Sequence, residues 1–183
     1  MKSQHGVTLN ELLITLAIMA VLLGLAIPSF ANLMRSMRLT TINNELVGAL
    51  AYARSEAVKR QRAVIVKPAT AFHWESGWTI ETTPCASDCV LRAYDPLTRQ
   101  YTLRGKLNTD DGVVSLDGLT FLPSGGIDNS GYLVLCDNSN PPIPEPGYTK
   151  AIAFNLAGHF KSLKDTNHNQ LPDIDHVDVN SCD

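Results

Sequence analysis

A chain of 183 residues, 44% hydrophobic and 18% charged, is too short for several large domains and too apolar for a disordered polymer; one compact domain with an appendage is expected. Lys+Arg 15 against Asp+Glu 18 leaves a formal net charge of -3, which excludes a protein that coats nucleic acid with its whole surface but leaves room for a local basic face. The four cysteines, Cys85, Cys89, Cys136 and Cys182, lack the paired CxxC units of a zinc ribbon and point to disulfides in an oxidising compartment.

The first element in chain order is apolar. From Ser3 to Met34 the one formal charge is Glu11, and Leu12 to Ile27 holds a single polar side chain, Thr15. A hydrocarbon core of roughly 30 Å needs about 20 apolar residues of helix. The stretch Val7 to Leu33 is long enough, and an ordinary signal peptide fits poorly because no small-x-small cleavage site comes after it. A plain single-pass anchor would not need Glu11: a carboxylate inside an apolar helix costs about 2.5 to 3.5 kcal/mol on insertion scales and calls for a partner. A cut after Gly6 would turn Val7 into a cationic amino terminus, and Glu11 could pair with that amine on a neighbouring subunit or on its own chain.

These residues carry a resemblance. Lys2, then Gly6 followed by Val7-Thr8-Leu9-Asn10-Glu11-Leu12-Leu13, resembles the class III leader of type IV pilins and type II secretion pseudopilins. The resemblance implies that a prepilin peptidase cuts after Gly6 and methylates Val7, and that Glu11 steers assembly. Val7 stands where that family usually has Phe. Pro28 sits where pilins carry a proline, which removes a helical hydrogen bond and favours a hinge.

Beyond Met34 the apolar positions Leu39, Ile42, Leu46, Leu50, Ala53 and Ala57 recur three or four apart, the stripe of an amphipathic helix. Arg38, Asn43, Asn44, Arg54, Lys59 and Arg60 are expected to face solvent. The helix is expected to run from Thr8 to near Arg62, roughly 80 Å at 1.5 Å per residue. Short β-prone runs come next, near Ala63–Lys67, Gly77–Glu81, Leu91–Tyr94, Val113–Leu116, Leu119–Phe121, Gly131–Leu135, Ala151–Asn155 and Gly158–Leu163, with turns at Asp117-Gly118 and Ala157-Gly158. The segment Asn138 to Gly147, rich in proline, reads as a surface loop. The expected fold class is α+β: a long N-terminal transmembrane and amphipathic helix packed on a C-terminal antiparallel sheet or β-sandwich.

Within that region Ala53-Arg54-Ser55-Glu56-Ala57-Val58-Lys59-Arg60, Trp74-Glu75-Ser76-Gly77-Trp78, Phe121-Leu122-Pro123-Ser124-Gly125, Leu135-Cys136 and Phe154-Asn155-Leu156-Ala157-Gly158, in that order, resemble the GspH/FimT group of minor pilins and pseudopilins. Taken singly, an ARSEAVKR stretch is an ordinary helix end and two Trp residues are core material. The resemblance implies a type IV pilin-like chain of four parts: a leader at 1–6, a transmembrane and assembly helix at 7–34, its amphipathic continuation at 35–62, and a periplasmic or extracellular β domain at 63–183. It further implies a minor pilin that initiates or caps a type IV pilus. Its partners would be other minor and major pilins, the prepilin peptidase and an inner-membrane assembly platform. The chain would sit single-pass in the bacterial inner membrane, then in the cell-surface pilus. A type II secretion minor pseudopilin and a DNA-uptake pilin are the alternatives.

The remaining motifs bear on ligands. Cys85 and Cys89 share a short polar loop, Cys136 comes after a strand and Cys182 is penultimate, so Cys85–Cys89 and Cys136–Cys182 are the expected bonds. The second closes a loop of about 46 residues and adds on the order of 4 kcal/mol in the chain-entropy model. In the tail, Asp165, Asn167, Asn169, Leu171 and Asp173 resemble a calcium loop, with Gln170 in place of its glycine and His176 in place of its closing acid; a solvated Asx-rich turn is the other reading. Calcium is the one cofactor the residues raise. Some members of the group act in natural transformation through a GRxR-type motif; here Gly158-His159-Phe160-Lys161 with Lys164 makes His159, Lys161 and Lys164 the DNA candidates. His159 in place of the motif's arginine loses one phosphate-pairing fork, and the acids Asp165, Asp173, Asp175, Asp178 and Asp183 oppose a polyanion. The scattered histidines, without a Gly-rich phosphate loop or GxSxG, give no expectation of an enzyme; His159, His168 and His176 would be its metal candidates.

Overall fold

The computed structural model describes residues 8–85, 87–109, 112–137, 147–166, 168–174, 177–178 and 182. It divides into two units, one ending at Met37 and the other beginning at Arg38.

Helix α1 spans Leu9–Arg60. Thr8 caps it: the Thr8 Oγ1 accepts the Glu11 N–H at 3.3 Å, and the Thr8 carbonyl accepts the first helical bond from Leu12 at 3.1 Å. At the other end Gln61 takes a φ of 52°, and the pair Gln61 N to Val58 O and Arg62 N to Ala57 O, each 3.3 Å, closes the helix as a Schellman motif. The left-handed Gln61 is why the helix stops at Arg60, short of the expected Arg62. Lys59 and Arg60 in the last turn favour that end of the helix dipole.

The rest of the chain is β: β1 (Ala63–Thr70), β2 (His73–Thr83), β3 (Val90–Tyr94), β4 (Tyr101–Thr109), β5 (Gly112–Ser115), β6 (Leu119–Phe121), β7 (Gly131–Asp137), β8 (Thr149–Phe154), β9 (Phe160–Ser162), β10 (Asp173–Ile174) and β11 (Val177–Asp178). They form a four-stranded sheet in the order β3-β2-β1-β6, a five-stranded sheet in the order β5-β4-β7-β8-β9, and the small β10-β11 pair. Every pairing is antiparallel, as short connections favour. Residues 138–146, most of the expected proline-rich loop, lie outside the described residues.

The central core joins the helix and both sheets. Leu39, Leu46, Ala49, Leu50, Ala53 and Ala57 from α1 meet Val64, Val66, Trp74, Trp78, Ile80, Leu103, Phe121, Leu133, Leu135 and Ile152. Each fully buried side chain of leucine size contributes about 1.5 to 3 kcal/mol. Trp74 also donates from Nε1 to the Leu116 carbonyl at 2.9 Å, so its polar atom is satisfied in the interior. At the open edge of the four-stranded sheet, the Arg92 guanidinium lies over the rings of Tyr94 and Tyr52, and a charged edge strand resists further pairing.

Two expectations about the helix face are corrected. Asn43 is buried and reaches Ser162 at 3.4 Å, and Arg54 is half-buried. Sheet strands and turns pack on α1 over an arc wider than the apolar stripe, so polar residues at its borders are enclosed as well.

Candidate functional site

Two regions hold the residues that function would use. The first is the amino-terminal half of α1. Gly6 and Val7 lie outside the described residues. Glu11 stands in the first helical turn beneath the Thr8 cap, where a carboxylate also complements the positive end of the helix dipole. Sequence reading by charge alone misses the role of Thr8, although Thr8-x-x-Glu11 carries the capping-box spacing. Thr15 returns its hydroxyl to the Leu12 carbonyl at 2.9 Å, so the one polar side chain in the apolar run is satisfied within the helix. The helix is unbroken through Pro28. Leu12, Ile14, Ile18, Val21 and Leu25 are all exposed by more than half, and the helix is long and apolar enough to cross a membrane. Such a surface is stable only against lipid or other apolar helices.

The second region is where the last turns of α1 meet two loops of the β domain. Arg54 donates from Nε to the Gly125 carbonyl at 2.9 Å and from a terminal nitrogen to the Ala157 carbonyl at 3.2 Å. It thereby ties together the turns Leu122–Gly126 and Asn155–Gly158, which are also joined by Ile127 N to Leu156 O at 3.0 Å. Arg54 is a guanidinium clamp that sequence periodicity places on the solvent face. Its signal lies in the carbonyl-presenting Gly125 and Gly158 turns, which only the fold brings together. Beside it Glu56 is buried, and the Arg60 guanidinium holds its carboxyl below the usual range.

Across the two sheets, Glu75 accepts from Arg104 and from His73 Nδ1, the latter at 3.1 Å. Burial opposes ionisation of Glu75, but its own backbone N–H, His73 and Arg104 outweigh that and lower its pKa. A lowered carboxylate contributes stability above the unfolded-state pKa of about 4.3 and loses it as the pH falls through the folded value. Glu75→Gln is therefore expected to lower the denaturation midpoint at pH 7, and the gap to wild type is expected to shrink below about pH 4. Equal gaps at pH 7 and pH 3 would show that the charge of Glu75 is immaterial.

The disulfides are Cys85–Cys89 and Cys136–Cys182. In the tail loop the Asp165 carboxylate accepts the N–H groups of His168, Asn169 and Gln170, Asn169 Oδ1 accepts that of Leu171 at 2.9 Å, and Asp173 accepts from the Thr166 N–H and hydroxyl. These are Asx-type turns, in which the carboxylates organise their own backbone. Asn167 and His176 lie outside the described residues, and among the described residues no three His, Cys, Asp or Glu side chains gather as a metal-holding group. His159 and Lys161 are exposed at and beside β9, Lys164 is exposed just beyond it, and His168 is exposed in the loop.

A family model described as type II transport protein GspH matches residues 43–158, and one described as the prokaryotic N-terminal methylation motif matches residues 1–27. A search of curated protein sequences gives no match. Among solved structures, the crystal structure of the type IV minor pilin FimU of Pseudomonas aeruginosa strain PAO1 is similar with a TM-score of 0.57 and 20% identity, covering 80% of this chain and 96% of that one. The minor pseudopilin EpsH from the type 2 secretion system of Vibrio cholerae is similar with a TM-score of 0.51 and 14% identity, covering 68% of this chain and 94% of that one. At these identities the likeness is one of fold.

Proposed function

Because this chain belongs to the type II transport protein GspH family, we propose that it is a minor pilin that helps to initiate or cap a type IV pilus together with other minor pilins. The observation that carries the reading is the methylation motif over residues 1–27 running directly into an uncovered apolar helix. A peptidase cut after Gly6 frees the amine of Val7, and Glu11 is the one acid near it in the apolar stretch. In a medium of low dielectric an amine and a carboxylate on adjacent helices attract strongly, and the exposed leucines and isoleucines pack the helices side by side. The chain waits in the inner membrane with its β domain in the periplasm and moves into the filament with its neighbours. The role is structural, so no catalytic group is assigned.

The family's description also favours a second reading, a minor pseudopilin of a type II secretion system. The two differ in neighbours rather than in chemistry. Glu11→Ala is expected to leave membrane insertion intact, since it removes an insertion cost of about 2.5 to 3.5 kcal/mol, while reducing co-purification with other pilins about tenfold or more. Mass spectrometry of the co-purified chains identifies the filament as pilus or pseudopilus. Equal recovery of neighbours by wild type and Glu11→Ala would overturn the pairing.

A further inference from the structure

Glu45, Gly48 and Tyr52 follow one another at helical spacing along α1, so they share one flank of the helix beside the core residues Leu46, Ala49 and Ala53. Glu45 and Gly48 are exposed and Tyr52 is half-buried. On β3, Arg92 pairs with Ile80 and Tyr94 with Trp78. Ile80 and Trp78 belong to the core, so Arg92 and Tyr94 lie on that side of the sheet, at its edge, where Tyr52 of α1 meets them.

These side chains are held from beneath. Tyr94 stacks on Trp78 with ring centroids 5.1 Å apart and an interplanar angle of 20°, and Trp78 is buried. The Arg92 guanidinium lies 5.0 Å from the Tyr94 ring centre and 5.9 Å from that of Tyr52. Contact with ring faces fixes a guanidinium while leaving its N–H donors for another partner, and Arg92 is exposed. A carboxylate suits such a group because it accepts two parallel N–H bonds. Arginine set among tyrosine and tryptophan is also the usual composition of an interface anchor.

Gly48 is an independent sign. Glycine inside a helix is destabilising relative to alanine, and among the described residues nothing lies within 4 Å of the place a Cβ would take at Gly48. Packing within the subunit therefore does not require it. The missing side chain instead leaves a place where the backbone of another chain can come close. Glu45, one turn away, acts electrostatically on Tyr94, whose hydroxyl pKa is raised chiefly by burial. An anionic lipid surface would be repelled by Glu45, whereas a protein surface can answer both charges.

Resting on the reading of this chain as a filament subunit, we infer that the flank formed by Glu45, Gly48, Tyr52, Arg92 and Tyr94 docks an adjacent pilin of the same assembly. That neighbour lays backbone over Gly48 and brings a carboxylate to Arg92 and a cation to Glu45. Because the charge of Arg92 resists strand addition at β3, the contact is made by side chains rather than by extending the sheet.

The test uses the full chain produced with its neighbours and extracted in detergent, with co-purified pilins measured by mass spectrometry. Arg92→Glu and Gly48→Leu are each expected to lower that recovery about tenfold or more, with a Tm no more than about 5 °C below wild type. Arg92→Lys, which keeps the charge but loses the fork, is expected to fall between Arg92→Glu and wild type. A benzophenone side chain in place of Ala51, an exposed neighbour of Gly48 on α1, is expected to cross-link to a pilin. Cross-linking to lipid alone would overturn the docking surface, as would full recovery of pilins by either Arg92→Glu or Gly48→Leu. So would a loss of recovery that comes with a larger fall in Tm, since both residues would then serve folding. Glu11→Ala, run beside them, separates the two readings: pilins lost there but retained by Arg92→Glu and Gly48→Leu overturn this surface alone, and recovery of no pilin by wild type overturns the filament reading with it.

Discussion

Replacing Gly6 by Glu is expected to abolish maturation, leaving every chain in the membrane fraction at full length and without a methyl group on Val7. The methylation motif spans residues 1–27, and within it Gly6 is the small residue that precedes Val7 at the spacing set by Glu11. A peptidase must draw the backbone on both sides of the bond into close contact, and the missing side chain of glycine permits that approach. Glutamate would instead place bulk and a second negative charge near the membrane surface, beside a segment that already carries the cost of Glu11. Without the cut there is no free amine at Val7, so the uncut chain is also expected to be missing from filaments. Intact-mass measurement of membranes separates the outcomes: a normally shortened, methylated Gly6→Glu chain would remove the basis of the proposed function.

Gly158→Ala is expected to be the most damaging single-methyl change in the β domain, lowering stability by about 3 to 5 kcal/mol. Gly158 has a φ of +75°, and an added Cβ would lie 1.9 Å from the Gly125 carbonyl oxygen and 3.2 Å from Arg54 Nε. The obstacle is backbone on one side and a committed guanidinium on the other, so neither can yield without loss. Relief would pull the Asn155–Gly158 turn from the Leu122–Gly126 turn and detach Arg54 from Gly125 and Ala157, leaving half-buried donors and acceptors unmet. For a domain of this size that corresponds to a drop in Tm of about 10 °C. Thermal unfolding of the full chain in detergent reads it, with Arg54→Met as a milder companion that removes the clamp without the clash. A loss under about 1 kcal/mol for Gly158→Ala would show that the two turns do not meet closely at Gly158.

The strands differ in how openly the sequence carries them. Ala63–Thr70 and Gly131–Asp137 have dense β-branched or apolar runs, and Leu119–Phe121 is framed by turn residues; each is visible in the sequence. The strand Tyr101–Thr109 is central to the five-stranded sheet but escapes a search for apolar runs. Its signal is alternation, with Tyr101, Leu103, Gly105 and Leu107 on one face and Thr102, Arg104, Lys106 and Asn108 on the other. Arg104 and Lys106 disguise it because they alternate with the core-facing residues, and Arg104 is itself largely enclosed by its pair with Glu75. β2 runs from His73 rather than Gly77 because Trp74 fills the core while Glu75 satisfies Arg104 across the sheets, a pairing between residues 29 apart in sequence.

The sequence by itself carried the methylation motif over residues 1–27, the apolar helix, the amphipathic stripe beyond it, and the plan of one helix with many short antiparallel strands. Those signals are local, resting on composition and on periods of a few residues. It also indicated both cysteine pairs, because one lies within a single short loop and leaves only one partner for each of the others. Tertiary structure alone decided the enclosure of Asn43, the clamp of Arg54 on two turns more than 70 residues away and the ion pair of Glu75 with Arg104. Each depends on which faces meet when distant segments pack, and a polar side chain shows in sequence only that it needs a partner, not which one the fold will bring.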